Sequence, residues 1–124
     1  RVSLPVSVAR INRIAGTSDG SQIYLATSSG VMASYDGGCR FTRATGNLGN
    51  AACLDIRVRE FQDSDACEIM ALLGDHSVFA RKCSAFEWEK RVTLPFDAWS
   101  LFAPANSPAL CIGTPANGIV ILSQ

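Results

Sequence analysis

The chain repeats itself at long intervals, and this constrains its fold more than any other feature. Residues 1–5 (Arg-Val-Ser-Leu-Pro) return as residues 91–95, ninety positions later, with only Ser exchanged for Thr. The pair at 30–31 returns at 118–119, eighty-eight positions on, and residues 77–80 lie roughly midway. The basic period is therefore about 44 residues, which indicates one supersecondary unit that stacks against further copies of itself.

Composition decides which secondary structure fills each unit. Ten Gly and five Pro separate short β-branched and aromatic runs, a pattern typical of strands joined by turns. The most charged stretch, residues 57–61, alternates with a period of two, and no window shows helical periodicity. With 124 residues, of which 48% are hydrophobic, the chain is long enough for one domain with a core. We therefore predict an all-β fold.

The period arranges the predicted strands in three units. In chain order they are 9–14, 23–27, 31–34 and 41–44, then 54–58, 68–73, 78–82 and 86–92, then 99–103, 109–113 and 119–122. Four strands per repeat of this length are typical of β-propeller blades. The chain is thus predicted to be a single propeller segment, residues 1–124, with about three four-stranded blades at approximately 6–45, 52–92 and 97–124.

Three blades cannot close a ring, so we expect further strands from elsewhere. Residues 1–5 are predicted to close the third blade as an outer strand, because their twin at 91–95 ends the second blade. The chain would then be half or part of a six- or seven-bladed ring, or a piece of a longer propeller. Its expected partner is a second copy of the chain or another propeller-completing polypeptide, since unpaired sheet edges invite aggregation.

A tight turn follows the third predicted strand. Its sequence is Ser-Tyr-Asp-Gly-Gly-Cys-Arg-Phe, and it begins at Ser34. Asp36 is expected to accept hydrogen bonds from backbone N–H groups just ahead of it, and Ser34 to bridge to a neighbouring group. Gly37 and Gly38 supply positive φ angles, and Phe41 packs under the turn. Each of these residues therefore has a predicted structural task, and Asp36 is interpreted as a turn former.

This turn has the pattern Ser-x-Asp-x-Gly-x-x-aromatic and resembles the Asp-box, or BNR-repeat, β-propellers. That group includes sialidases, sortilin-type receptors, photosystem assembly factors and many bacterial exoproteins. The resemblance is carried by Ser34, Asp36, Gly37, Phe41, the strand at 23–27 and the repeat. It implies a protein-binding platform in many members, although the fold does not fix the function. The second unit departs from the pattern, because residues 81–88 retain only the terminal aromatic residue, Trp88.

Five cysteines stand at positions 39, 53, 67, 83 and 111. Residues opposite each other across the predicted turn at 74–76 have numbers that sum to 150, as Cys67 and Cys83 do. We expect them to be directly opposed at a non-hydrogen-bonded position, about 4.5 Å apart at Cα and within disulfide range. Two buried free thiols are the alternative. A disulfide would indicate the periplasm, the cell surface or the outside of the cell. The pairing of Cys39, Cys53 and Cys111 is left open.

Few residues suggest chemistry. His76 is the single histidine and lies in a predicted turn, where a solvated tip is expected. There is no Cys-x-x-Cys pair, so neither a metal nor another cofactor is predicted. The formal net charge of zero gives no reason to expect nucleic acid as a partner, and no apolar run is long enough for a transmembrane helix.

The sialidase resemblance would imply an arginine cluster, a tyrosine nucleophile with a glutamate partner, and an aspartate acid/base. Arg10, Arg13 and Arg57 are the arginines on or near predicted inner strands. Tyr24 lies in a middle strand and Tyr35 in the box. These positions do not assemble the constellation, so we predict no catalytic residue and no enzyme activity.

Tryptophans give the alternative function. Trp88 with Glu87 and Glu89, and separately Trp99, could present ring faces to a sugar, although both rings are also expected at core positions. The predicted function is a non-catalytic binding or structural module of a secreted or surface propeller that presents blade faces to a protein partner. A glycan-binding propeller lectin is the first alternative, and a sialidase-like glycoside hydrolase fragment is the second.

Overall fold

The computed structural model describes residues 10–44, 48, 51–60, 67–85, 87–104, 109–115 and 118–122. Within these residues there are eleven strands and no helix, so the all-β prediction is confirmed. The strands are β1 (Ile11–Gly16), β2 (Ile23–Thr27), β3 (Gly30–Ser34), β4 (Thr42–Arg43), β5 (Cys53–Glu60), β6 (Cys67–Leu73), β7 (Ser77–Lys82), β8 (Glu89–Thr93), β9 (Ser100–Phe102), β10 (Leu110–Thr114) and β11 (Gly118–Leu122). No helix able to cross a membrane occurs in these ranges.

Consecutive strands pair to form three antiparallel sheets. The first sheet contains β1 to β4, the second β5 to β8 and the third β9 to β11, each in chain order. The ladder shifts register near the start of both β1 and β5, between Ile11 and Arg13 and between Cys53 and Asp55. The same kind of register shift, which a β-bulge produces, therefore occurs near the start of the first strand in two sheets. The predicted closing strand at 1–5 lies outside the described residues.

The outermost strands differ from the prediction. The run predicted at 41–44 forms only the two-residue β4, because Phe41 belongs to the turn and leaves the ladder. In the run predicted at 86–92, the described residues pair from Glu89 onward, and position 86 lies outside the described residues. β8 is exposed along most of its length and β4 contains no buried residue, so burial does little to fix their ends.

The three sheets stack face to face with the second in the middle. Along β6, Ile69, Ala71 and Leu73 face the first sheet, while Met70 and Leu72 face the third, as strand alternation requires. One core cluster therefore lies between the first and second sheets and another between the second and third. The two clusters share no buried residue, because successive side chains of a strand point to opposite faces of the middle sheet.

A disulfide joins Cys67 and Cys83 across the β6–β7 hairpin, as predicted, with their Cα atoms 5.4 Å apart. The expected position was wrong in one respect. The N–H of Cys83 donates to the carbonyl of Cys67 at 3.0 Å, so the two residues form a hydrogen-bonded pair. Their Cα separation matches that kind of pair, which is wider than the non-hydrogen-bonded kind. Cys39, Cys53 and Cys111 are free thiols.

Candidate functional site

The first strands of the three sheets lie side by side and meet at Asp55, on β5. One carboxylate oxygen accepts from Nε of Arg13, on β1, at 2.8 Å and from the N–H of Ile56 at 2.9 Å. The other accepts from the N–H of Leu101, on β9, at 2.8 Å. The Asp55 side chain is only 2% exposed. We call this arrangement the Asp55 joint, because a single buried carboxylate connects all three sheets.

Two of the predicted arginines belong to the Asp55 joint. Arg57 donates from Nε to the carbonyl of Leu101 at 2.8 Å, and the same nitrogen lies 3.6 Å from Asp55. Arg10 instead donates to the side chain of Asn12 at 2.9 Å. Arg13 is thus paired with a carboxylate of the chain itself, and Arg57 lies near the same carboxylate while it donates to a backbone carbonyl. The chemistry of the joint is therefore that of a structural connection, with its acid shielded from water.

Sequence reasoning placed the arginines on inner strands but missed Asp55. Its partners Arg13 and Leu101 are 42 and 46 residues away in the chain. One local signal was available, because Asp55 stands beside Leu54 and Ile56 in a strand whose other residues are buried or half-buried. A buried carboxylate needs partners for its charge, so this position demanded an explanation.

The turn after β3, which begins at Ser34, is held by its own polar side chains. The Ser34 hydroxyl donates to the Asp36 carboxylate at 2.8 Å and accepts from the N–H of Gly38 at 2.9 Å. The same carboxylate oxygen accepts from the N–H of Arg40 at 3.0 Å. These contacts, the Ser34 bond first, lower the pKa of Asp36.

Backbone angles and packing complete the turn. Gly37 and Gly38 have φ of 75° and 96°, in the region that favours glycine. Phe41 is buried against Leu25 and Met32 on the side of the first sheet that faces away from the second. The carboxylate of Asp36 is therefore occupied within the turn itself.

The second sheet has a buried cation, Arg81, where the Asp-box pattern is lost. Its guanidinium lies 5.5 Å from the ring centroid of Tyr24 and 5.2 Å from that of Trp88. It donates to the Tyr24 hydroxyl and, at 3.3 Å, to the Tyr35 hydroxyl. Burial raises the pKa of Tyr24. Within the described part of the chain, Nε of Arg81 has no hydrogen-bond acceptor. Aromatic faces and phenol oxygens therefore stabilise this charge.

The two tryptophans have opposite environments. Trp88 is buried against Arg81, so it offers no ring face to a sugar, and the suggested Trp88–Glu87 binding site is wrong. Trp99 is 67% exposed, so the expectation that it packs in the core is also wrong. The local sequence predicts that Trp99 lies at the start of a strand. It does not predict whether another element covers the ring, because this depends on how the sheets are arranged.

His76 lies in the β6–β7 turn with a φ of 72°. Its Nε2 is 2.9 Å from the carboxylate of Asp97, and both side chains are partly exposed. In the ranges that the structure describes, no three His, Cys, Asp or Glu side chains gather as they would around a metal ion.

An apolar surface lies at one end of the stack. On the third sheet, Phe102, Cys111 and Ile121 form one row across the strands, and Ile119 stands in the next row opposite Gly113. Phe102, Ile119 and Ile121 are each more than half exposed. We call this surface the third-sheet face. It points away from the second sheet, because Leu101, Ile112 and Val120 occupy the opposite side.

No protein-family model matches the chain, and no curated protein matches it. A solved structure that resembles it is PorZ, an essential bacterial surface component of the type-IX secretion system of Porphyromonas gingivalis. The identity is 15% and the TM-score 0.31, over 92% of this chain and 21% of PorZ. The chain thus spans about a fifth of the length of PorZ.

Proposed function

We propose that the chain is a β-propeller segment that serves as a non-catalytic binding or structural module of a secreted or surface protein. Its sheets would act as blades that present their faces to a protein partner. The Asp-box resemblance of Ser34 to Phe41 and the period of about 44 residues support this proposal. The Cys67–Cys83 disulfide supports an oxidising compartment.

The observation that carries the proposal is the Asp55 joint. First strands that lie side by side, with their sheets stacked face to face, are what blades around a common axis require. A general acid or base must reach the proton that it transfers, and Asp55 is buried and already accepts three hydrogen bonds. The buried carboxylate of Asp55 therefore has a structural role, because its hydrogen bonds connect the sheets.

A second candidate function, glycan binding, is favoured by the exposure of Trp99. Exposed tryptophan rings are what sugar-binding surfaces need, and Trp99 is the more exposed of the two tryptophans. Of the two tryptophans, such a sugar-binding surface would use the indole ring of Trp99 alone, since Trp88 is buried.

A glycan array combined with tryptophan fluorescence separates the two functions. For a non-catalytic module with a protein partner we expect no sugar-dependent change in the fluorescence of the chain or of its Trp99→Phe variant. We also expect no release of fluorophore from aryl sialosides and aryl hexosides. Saturable sugar quenching that is lost in Trp99→Phe would establish the lectin function instead, and turnover of an aryl glycoside would overturn the non-catalytic assignment.

A further inference from the structure

We propose that two copies of this chain associate head to tail, with the third-sheet face of each copy docking on the first sheet of the other around Ile14. This inference rests on the proposed function, because it treats the sheets as repeated blades. It adds the surfaces that meet and the residues on each side. The arrangement has six stacked sheets in a closed two-copy ring, a number within the range that propellers use.

The ladder registers of the hairpins show which positions correspond in the three sheets. Taken in sheet order, the corresponding pairs are Tyr24 with Ala33, Met70 with Ala80 and Cys111 with Ile121, and in the next row Ala26 with Val31, Leu72 with Val78 and Gly113 with Ile119. In the first two sheets these pairs form the side that packs against the next sheet, and they are buried. In the third sheet, Ile119 and Ile121 are 73% and 66% exposed.

The third-sheet face is therefore the surface that the other two sheets use for packing, left uncovered. Its outward residues Phe102, Cys111, Ile119 and Ile121 carry no charge. An apolar sheet face of this kind fits another apolar sheet, because sheets pack by interdigitating such side chains. The continuity of the repeat thus selects a sheet as the occupant.

At the opposite end of the stack, the outer side of the first sheet also has an exposed apolar residue, Ile14. Ile14 on the first sheet corresponds to Ile56 on the second and Leu101 on the third, because all three pair with the same row of their sheets. Ile56 and Leu101 are fully buried against the preceding sheet, whereas Ile14 is 63% exposed. Leu25 and Met32, the row partners of Ile14, are already buried, so Ile14 is the open part of this surface.

The third-sheet face of one copy matches the exposed surface around Ile14 of the other copy better than it matches a second third-sheet face. A contact between two third-sheet faces would leave Ile14 exposed, whereas a head-to-tail contact covers both surfaces at once. Head-to-tail contacts form a ring where the rotation closes and a filament where it does not. With the three described sheets of each copy stacked in this way, a two-copy ring covers the third-sheet face and Ile14 of both copies.

The test is light scattering of the 124-residue chain after size-exclusion chromatography, from about 1 µM to about 200 µM. We expect a mass near twice 13.2 kDa at the upper concentrations and dissociation on dilution. Ile119→Glu and Ile14→Lys should each give a monomer. Both positions are more than half exposed, so circular dichroism should show an unchanged β spectrum.

Mixing the two variants tests the head-to-tail geometry directly. One contact of the mixed pair is then native, and the other brings the two introduced side chains, of opposite charge, toward each other, so we expect the dimer mass to return. Trp99→Lys, at an equally exposed position outside both surfaces, should leave the dimer intact. A monomer at all concentrations, a dimer that survives either variant, or no recovery on mixing would each overturn the inference.

The mass measurement and the sugar-binding measurement, made on the same preparations, test the two-copy arrangement and the proposed function independently. A monomer with an intact disulfide and no sugar response would remove only the two-copy arrangement. A sugar response that depends on Trp99 would remove the proposed function whatever the mass.

Discussion

At the scale of single residues, the turns of this chain depend on aspartates whose carboxylates accept nearby hydrogen bonds. Asp36 accepts from Ser34, and Asp75 from the Ser77 hydroxyl and N–H. Asp19 accepts from the N–H and hydroxyl of Ser21 and from Thr17, and these contacts, the Ser21 N–H first, lower its pKa to about 2. The hydroxyl of Ser77 likewise is the largest cause that lowers the pKa of Asp75.

This chemistry gives the chain a defined acid sensitivity. A depressed carboxyl pKa stabilises the fold fully above the unfolded value, near 4, and the contribution is lost as the pH falls through the folded value. We expect the thermal unfolding midpoint to fall between about pH 4 and about pH 2. Asp36→Asn should reduce this slope and lower the midpoint at pH 7, because the neutral amide lacks the charge-assisted hydrogen bonds that lower the pKa of Asp36, and the two midpoints should converge toward pH 2.

The control for this prediction is Glu87→Gln, which removes a carboxylate from an exposed position outside the turns. It should leave the acid slope as it is in the parent chain. Equal slopes in the parent and in Asp36→Asn would show that the turn carboxylate does not contribute.

At the scale of elements, the middle strands were predictable and the outer ones were not. The strand at 23–27 coincides with β2, since a run of apolar residues that pairs on both sides is fixed by its own burial. β4 and β8 have neighbours on one side only and are exposed, so their pattern carries little information. The disulfide was predictable because hairpin geometry fixes which residues are opposed. Trp99 was not, because its exposure depends on a neighbour that local sequence does not encode.

The disulfide should be the strongest single constraint on the second sheet. It closes a loop with a sequence separation of 16, for which chain entropy predicts about 3 kcal/mol of stabilisation. The double variant Cys67→Ser and Cys83→Ser should lose about this amount in urea unfolding, as should the reduced parent. Cys39→Ser, which removes an exposed free thiol, should unfold like the parent. Coincident curves for all four samples would refute the expected stabilisation.

At the scale of the whole molecule, the Asp55 joint makes the sheets depend on one another. Neither its partners nor its burial could be predicted from the repeat alone, because they arise only when β1, β5 and β9 lie side by side. The repeat supplies three similar hairpin units, but the contacts between units are formed by residues that differ from one unit to the next. The three residues that meet at the joint, Asp55, Arg13 and Leu101, are of three different types, so the repeat does not reveal that they are in contact.

Removing the carboxylate should therefore weaken the entire stack. Asp55→Ala leaves the N–H groups of Ile56 and Leu101 without their acceptor and Arg13 without its partner, which should cost about 3–5 kcal/mol. Urea unfolding measures the loss, and hydrogen exchange of the Leu101 amide should accelerate together with amides of β1 and β5.

Glu60→Gln is the matched control for this prediction. Glu60 also joins two sheets, by accepting from the N–H of Ser18 at 2.6 Å, but that contact is exposed. A change of less than about 1 kcal/mol is expected there. A similarly small change in Asp55→Ala would mean that the sheets hold together without the joint.

The covalent link across the β6–β7 hairpin also bears on how the molecule survives a nick. Its two sulfurs lie on either side of the turn at 74–76, so a protease that cut this turn would leave both fragments tethered and still paired within the central sheet. The clipped protein should migrate as one species without thiols and as two with them. Cleavage at the turn would therefore not change the apparent size of the protein until the Cys67–Cys83 disulfide is reduced.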